Sequence, residues 1–321
     1  MIMSRTPMRI SFSGGGTDLA DFYKQETGAV LSTTINKYMY VIVNHRFDDG
    51  FRLAYSEVEE AERASQIKNN MIRECVQYFG ISSMDISSLA DIPAATGLGS
   101  SSAYLVGLLN ALSYSRSEYM SKEALAKVAC KIEIESLGHH IGKQDAYSSA
   151  YGNLNLIEFH PDETVEIKPV LCSPETRDEL NRSLMLFYLG KKEKRSGEVL
   201  STWDFEMGVE TLREMSDLAY EMKIALEKGT TLSDFGLLLG ESWELKKRLS
   251  SEISTPEVDE IYDRALGAGA LSGKLCGSGG NGFLLLFCEG QNKQKVRESL
   301  SPIREVAFRF DPVGSQISYM G

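Results

Sequence analysis

The chain has few cysteines, no signal for secretion and no long apolar run. Its five cysteines are widely separated, and no two of them form a Cys-x-x-Cys pair. Such cysteines are typical of reduced thiols, which argues against both a disulfide framework and a zinc site. Apolar runs such as 283-FLLLFC-288 are far shorter than the ~20 residues that span a bilayer. The segment 1-MIMSRTPMRISF-12 also lacks the apolar core of a signal peptide. We therefore expect a cytoplasmic protein that does not bind membranes.

Basic residues are fewer than acidic residues in this sequence. The sequence contains 34 lysines and arginines against 45 acidic residues, which gives a formal net charge of −11. Nonspecific binding to nucleic acid needs a basic surface, so this class of partner is excluded. A phosphate ligand must accordingly be held by local features that act against the overall field.

The pattern of elements predicts an α+β protein with two lobes. A chain of 321 residues exceeds the ~100–200 residues of one domain, and strands and helices are mixed without strict alternation. The pattern predicts two strands over 29–47 and a helix over 58–79. We place the domains at residues 1–180 and 181–321, with a ligand cleft between them.

One segment combines glycines and serines directly before an apolar helical pattern, 93-PAATGLGSSSAYLVGLLNAL-112. A helix N-terminus has unpaired backbone N–H groups and a partial positive charge, and both stabilise an anion. Glycines let the backbone approach a ligand, and serines add hydroxyl donors. A flexible linker is the alternative, but this segment joins two elements that are both predicted to be buried. We therefore predict that Gly97, Leu98, Gly99, Ser100, Ser101 and Ser102 bind phosphate.

Two further glycine segments are ambiguous on their own. The segment 13-SGGGTD-18 follows a predicted strand that contains Arg9, and 277-GSGGNG-282 has the spacing of a dinucleotide-binding turn. The second one leads into a strand instead of opening a helix, so the dinucleotide context is missing. Each segment alone is compatible with a simple turn.

Taken together, three segments resemble the motifs of the galactokinase, homoserine kinase, mevalonate kinase and phosphomevalonate kinase superfamily. They are 5-RTPMRISFSGGGTDL-19, 93-PAATGLGSSSA-103 and 274-KLCGSGGNGFLL-285, in that order. The resemblance implies an N-terminal lobe like ribosomal protein S5 domain 2 and a ferredoxin-like C-terminal lobe. It also implies that ATP and a sugar meet between the lobes, with the serine-rich segment on the triphosphate.

The resemblance further implies catalytic and metal-binding residues. Asp145 matches the aspartate that sugar kinases of this superfamily place beside the acceptor hydroxyl, and Arg9 matches the arginine against it. Glu133 matches the glutamate used on Mg²⁺, although Glu135 is a competitor and a solvated helix face is the alternative for both. Ser101 is the serine that we expect to complete the metal site, because Mg²⁺ prefers oxygen ligands.

Substrate contacts are expected from the first and third glycine segments, from the catalytic segment and from a basic stretch. The predicted residues are Gly14, Gly15, Gly16, Thr17, Asp18, Lys143, Gln144, Arg195, Gly279 and Gly280. Lys143 and Arg195 are the candidates for a substrate phosphate, because such a group needs at least one cation. The adjacent His139 and His140 are interpreted as structural, since nothing nearby completes a metal site.

Within the superfamily, the opening segment and 142-GKQDAYSSAYGNLN-155 most resemble kinases that act on D-glycero-D-manno-heptose phosphate. The implied reaction is ATP- and Mg²⁺-dependent phosphorylation of the C1 hydroxyl of the 7-phosphate, which supplies precursors of surface polysaccharide. A 1-kinase of an unphosphorylated sugar, such as galactose or fucose, is the alternative enzyme. A noncatalytic sugar-responsive regulator is the alternative of another class. Either a monomer or a homodimer is compatible with the sequence.

Overall fold

A computed structural model describes residues 1–191, 196–203, 205–229 and 231–321. The strands are β1 Ile2–Ser13, β2 Gly28–Asn44, β3 Gly50–Ala54, β4 Val58–Ala61, β5 Ser83–Ala90, β6 Leu154–Phe159, β7 Val165–Pro169, β8 Leu184–Tyr188, β9 Ser272–Leu275, β10 Phe283–Phe287, β11 Arg304–Glu305 and β12 Gln316–Met320. The α-helices are α1 Ala20–Tyr23, α2 Asn70–Tyr78, α3 Ser100–Ser115, α4 Lys122–Cys130, α5 Gln144–Tyr151, α6 Pro174–Ser183, α7 Ser196–Leu200, α8 Phe205–Lys228, α9 Leu232–Arg248, α10 Pro256–Gly267 and α11 Lys293–Leu300. Ala64–Gln66 form a 3₁₀ turn, and Lys131–Ser136 form a π-helix. None of these helices, within the described ranges, is both long and apolar enough to cross a membrane.

The first sheet is organised around β2. This strand has 17 residues and pairs with β1 along most of its length. Its first half also pairs with β6, and its second half pairs with β5. The expectation of two strands over 29–47 is therefore wrong, because partners on the other side of β2 change along one continuous strand. Strand β3 runs parallel to β5, and β12 returns from the end of the chain to pair with β1.

The second sheet is antiparallel, with strand order β11-β8-β10-β9. It shares an apolar core with the first sheet, in which Met8, Ile10 and Phe12 of β1 cluster with Leu186 of β8 and Leu285 of β10. The described helices pack on these sheets, so the expected α+β class with two lobes is confirmed. The division of the chain at residues 180 and 181 stays a prediction.

Helix α3 is buried on nearly all sides, as expected of a helix that is apolar around its whole circumference. Its close approach to β1 is possible because residue 107 is glycine. A Cβ atom at Gly107 would lie 2.8 Å from Oγ1 of Thr6. The helix begins directly after Gly99, which has a positive φ of 72°. This packing fixes the position of the α3 N-terminus relative to β1.

The helix expected over 58–79 begins later than the pattern suggested. Val58–Ala61 form β4, which pairs antiparallel with β3, so tertiary pairing overrides the helical periodicity there. The α-helix begins at Asn70, where the side chain of Asn69 accepts a hydrogen bond from the backbone N–H of Ile72. An asparagine in this position is a favoured helix N-cap.

Candidate active site

A cavity of about 750 Å³ lies where β1, the start of α3, the π-helix, the start of α5 and residues of the second lobe meet. Many of the predicted site residues line it, namely Arg9, Gly15, Gly16, Asp18, Gly97, Gly99, Ser100, Ser101, Ser102, Glu133, Gln144 and Asp145. These residues come from four separate segments of the sequence. The fold therefore brings most of the predicted site together around one space.

Arg9 and Asp145 form a largely buried ion pair at this cavity. Nε of Arg9 donates to Oδ1 of Asp145 over 2.7 Å, and Nη1 donates to the carbonyl oxygen of Gly97 over 2.7 Å. The Arg9 side chain is 5% exposed and that of Asp145 is 25% exposed. The pair leaves the Asp145 carboxylate partly open to the cavity, in an orientation fixed by the guanidinium.

The N-terminus of α3 has no side-chain cap. Gly99 stands at the N-cap position, and the hydroxyls of Ser101 and Ser102 donate to Glu133 instead of serving the helix. The first backbone N–H groups of this helix therefore lack the partner that a capping side chain supplies elsewhere, for example Ser121 at α4. An anion in the cavity fits this end of the helix by charge and by hydrogen bonding.

Glu133 is the buried carboxylate of the site, on the π-helix that continues α4. Its two oxygens accept from Ser101 over 2.8 Å and from Ser102 over 2.6 Å. Burial raises the pKa of Glu133 to about 7, the two serine donors lower it, and nearby Asp145 raises it further. Glu135, the competing candidate, is exposed and does not line the cavity. Of the two glutamates, Glu133 therefore lies at the cavity and Glu135 does not.

Asp18 connects the first glycine segment to the start of α5. One oxygen accepts from the backbone N–H of Gly16 over 2.9 Å, and the other accepts from the backbone N–H of Gln144 over 3.0 Å. The Gln144 side chain also donates to Asp18 over 3.1 Å. Burial raises the pKa of Asp18, although the backbone donors lower it. The contacts fix the first loop beside Asp145.

The other described residues of the prediction do not line the cavity; they are Gly14, Thr17, Leu98, Lys143, Gly279 and Gly280. A Cβ atom at Gly14 would lie 1.8 Å from the carbonyl oxygen of Ala29, and one at Gly279 would lie 2.7 Å from the backbone of Ile253. Both positions have a positive φ. These glycines allow close backbone packing behind the cavity wall.

Of the two cations predicted to bind a substrate phosphate, the structure describes Lys143 but not Arg195. Lys143 forms an ion pair with Glu163, and its ammonium lies 4.1 Å from the centre of the Tyr23 ring. Arg195 lies outside the described residues. The substrate role of both cations stays a prediction.

Several cavity residues were not predicted to lie in the site, namely Ser11, Tyr104, Trp203, Lys246 and Lys274. His139 and His140, which were interpreted as structural, also line the cavity. His140 contacts Asp21 over 3.1 Å, and Trp203 packs against Gly16. Strand alternation with Arg9 could have indicated Ser11, because both side chains point to the same face of β1. Trp203 and Lys246 come from the second lobe, where no local pattern indicates a ligand. Lys274 begins the third glycine segment, in which only the glycines were predicted to bind substrate.

Comparisons with known proteins agree on one family. The family model described as GHMP kinases N terminal domain matches residues 64–153, and that described as GHMP kinases C terminal matches residues 222–303. The chain is 30% identical to the D-glycero-alpha-D-manno-heptose 7-phosphate kinase of Campylobacter jejuni, and the match covers 93% of each protein. It is 26% identical to the galactokinase of Thermotoga petrophila, with 92% of each protein covered.

A solved structure gives the same result. The D-glycero-D-manno-heptose 1-phosphate kinase from Bacteroides thetaiotaomicron superposes with a TM-score of 0.83 and 26% identity, covering 100% of both chains. Both lobes are therefore shared with that protein.

The raised pKa of Glu133 predicts how stability changes with pH. Because the folded pKa of about 7 exceeds the ordinary value of 4.5, the folded state holds a proton that the unfolded state releases. Stability therefore falls as pH rises through this window. We expect the free energy of unfolding of Glu133→Gln, measured relative to that of wild type, to be roughly 3 kcal/mol more favourable to the variant at pH 8 than at pH 5. Denaturant unfolding without added metal measures this difference, with exposed Glu135→Gln as the control. An equal effect of Glu133→Gln at both pH values would contradict the prediction.

Proposed function

The chain belongs to the GHMP kinases, which transfer a phosphoryl group to a hydroxyl acceptor, and we propose that it is an ATP- and Mg²⁺-dependent sugar kinase. We propose that it phosphorylates the C1 hydroxyl of D-glycero-D-manno-heptose 7-phosphate to the 1,7-bisphosphate, as a step towards surface polysaccharide. One observation carries the proposal: a fixed, partly open Asp145 lies beside an uncapped helix N-terminus and a serine-bound carboxylate.

The start of α3 would hold the nucleotide phosphates. Its first N–H groups have no side-chain cap, and Ser100 lines a cavity large enough for a nucleotide and a sugar. Gly99 lies so close to the Arg9–Asp145 pair that a Cβ atom there would be 3.2 Å from Cγ of Asp145. The phosphate cradle and the carboxylate are therefore immediate neighbours.

Ser101 and Glu133 would hold Mg²⁺. Their oxygens are within 2.8 Å of each other, and a hydroxyl with a carboxylate fits a hard cation that keeps several waters. Ser102 would retain its bond to the other carboxylate oxygen and so orient Glu133. Bound there together with ATP, the ion would supply positive charge that neutralises the phosphates.

Asp145 would orient the acceptor hydroxyl and accept its proton. Its ion pair with Arg9 leaves one oxygen, Oδ2, outside that contact. We therefore propose that Oδ2 accepts the hydrogen bond from the sugar. Positioning within hydrogen-bond distance is the first requirement of such a base.

The sugar would lie beside the first glycine loop. Asp18, Gly15 and Gln144 line this part of the cavity, and Oε1 of Gln144 is buried without a hydrogen-bond partner among the described residues. Similarity to the Campylobacter jejuni kinase supports a heptose phosphate as substrate.

The test of this function is ATP consumption across a panel of sugars. The purified protein would be assayed with Mg²⁺, ATP and heptose 7-phosphate, the dephosphorylated heptose, galactose or fucose. We expect turnover to be fastest with the heptose 7-phosphate. Faster turnover of an unphosphorylated sugar would replace the proposed substrate, and no turnover of any member would remove the sugar-kinase proposal.

Asp145→Asn tests the catalytic role. The amide is nearly isosteric and keeps an oxygen for Arg9, so the fold should persist. We expect turnover to fall roughly 10²–10⁴-fold, the range for losing a positioned acid–base group. Asp217→Asn, on the exposed face of α8, removes a carboxylate elsewhere and should change turnover little. Equal turnover in the two variants would exclude Asp145 from the mechanism.

Gly99→Ala tests the phosphate cradle. Gly99 and Gly80 both have a positive φ, at 72° and 62°, but a Cβ atom at Gly80 would meet nothing within 4 Å. Each alanine should cost about 1–2 kcal/mol of stability through backbone strain. Only Gly99→Ala also crowds Arg9 and Asp145, so it alone should weaken ATP binding, by roughly tenfold. Calorimetric titration with ATP measures this, and equal affinities of the two variants would argue against the cradle.

A further inference from the structure

Lys274 places a positive charge in the wall of the cavity. It is the third residue of β9, it is 3% exposed, and it lines the same space as Arg9 and Asp145. The sequence motif that contains it was assigned through its glycines, so the lysine has no role in the function proposed above.

Among the described residues, the ammonium of Lys274 contacts only neutral oxygens. It donates to the carbonyl oxygen of Phe12 over 2.6 Å and lies 3.4 Å from Oγ of Ser242. Within the described part of the chain, no carboxylate pairs with it. A lysine ammonium has three N–H donors, so one donor remains for a further acceptor.

Two other cations near the site pair with carboxylates of the protein. Arg9 pairs with Asp145, and Lys143 pairs with Glu163. A buried cation without a counter-charge is costly, because the protein interior solvates charge poorly. Burial accordingly lowers the pKa of Lys274 to about 8; Cys276 opposes this effect, and the neighbouring Arg9 adds to it.

A purely structural role does not explain the charge. The carbonyl oxygen of Phe12 also accepts from Oγ of Ser242 over 3.1 Å, so it keeps a donor without the lysine. An apolar side chain of similar length could fill the same volume without the cost of burying a charge. The charge is therefore useful if an anion enters the cavity.

We propose that Lys274 is a cation that binds a phosphate group when ligands occupy the cavity. The inference rests on the proposed kinase function, and the phosphate comes from one of two sources. It is either the terminal phosphate of ATP or the phosphate that the sugar already carries. In both cases the third N–H of the ammonium donates to a phosphate oxygen, while the bond to Phe12 is kept.

Lys274→Met tests the proposal, with Lys295→Met as the matched control. Lys295 is exposed on α11, so its replacement removes the same charge outside the cavity. Calorimetry would give the affinity of each variant for four ligands: ATP, ADP, heptose 7-phosphate and the dephosphorylated heptose. Denaturant unfolding would give the stability of each free protein.

We expect Lys274→Met to lose roughly ten- to a hundredfold in affinity for one phosphate ligand, as for a lost charge-assisted hydrogen bond. If affinity for ATP falls and affinity for ADP does not, Lys274 contacts the terminal phosphate of ATP. A loss for the sugar phosphate that the dephosphorylated sugar does not share identifies the substrate phosphate. The free variant should be as stable as wild type or more stable, because an unpaired buried charge is gone.

Unchanged affinity for all four ligands, or equal losses for all four, would overturn the proposal and leave Lys274 as a structural residue. The kinase function is judged separately, from turnover by wild type. If wild type turns over sugar and Lys274→Met keeps the wild-type affinity for all four ligands, the lysine contact is refuted and the kinase function is not. If phosphate binding depends on Lys274 but wild type transfers no phosphoryl group, the kinase function is refuted and the lysine contact is not.

Discussion

Arg9 is the residue on which the geometry of the site depends. Its backbone N–H donates to the carbonyl oxygen of Leu98 over 3.0 Å, while its guanidinium binds Asp145 and the carbonyl oxygen of Gly97. One residue of β1 thus holds the loop before α3 and the start of α5 at the same time. Because the pair is largely buried, either partner alone would leave a charge with little solvation. The carboxylate and the helix N-terminus are consequently fixed together.

The carboxylates of Asp18, Glu133 and Asp145 all line the cavity, and this concentration of negative charge is unfavourable in the free protein. Asp145 raises the pKa of both Asp18 and Glu133, in addition to the effect of burial. The hydrogen bonds to Asp18 and Glu133 reduce this cost but do not remove it, since their donors are neutral: serine hydroxyls, the Gln144 amide and backbone N–H groups. A metal cation beside Glu133 would relieve the repulsion, which couples the charge of this region to its ligands.

Much of the site could be predicted because its chemistry lies in short segments. Gly99 followed by serines indicates a helix N-terminus. The positions of Arg9, Glu133 and Asp145 match the family motifs. What could not be predicted depends on tertiary structure. The strand at Val58–Ala61 exists because β3 lies beside it, and the ammonium of Lys274 reaches Phe12 only after β9 has packed against the end of β1.

The core shared by the two sheets determines how the molecule can move. Met8, Ile10 and Phe12 are fully buried against Leu186 and Leu285 of the second sheet, so separating the sheets would expose a continuous apolar surface. Hinge motion between lobes is the usual expectation only where their interface is small and polar. In this chain the contact between the sheets is apolar, so any motion that separates them is opposed by the free-energy cost of exposing that surface to water.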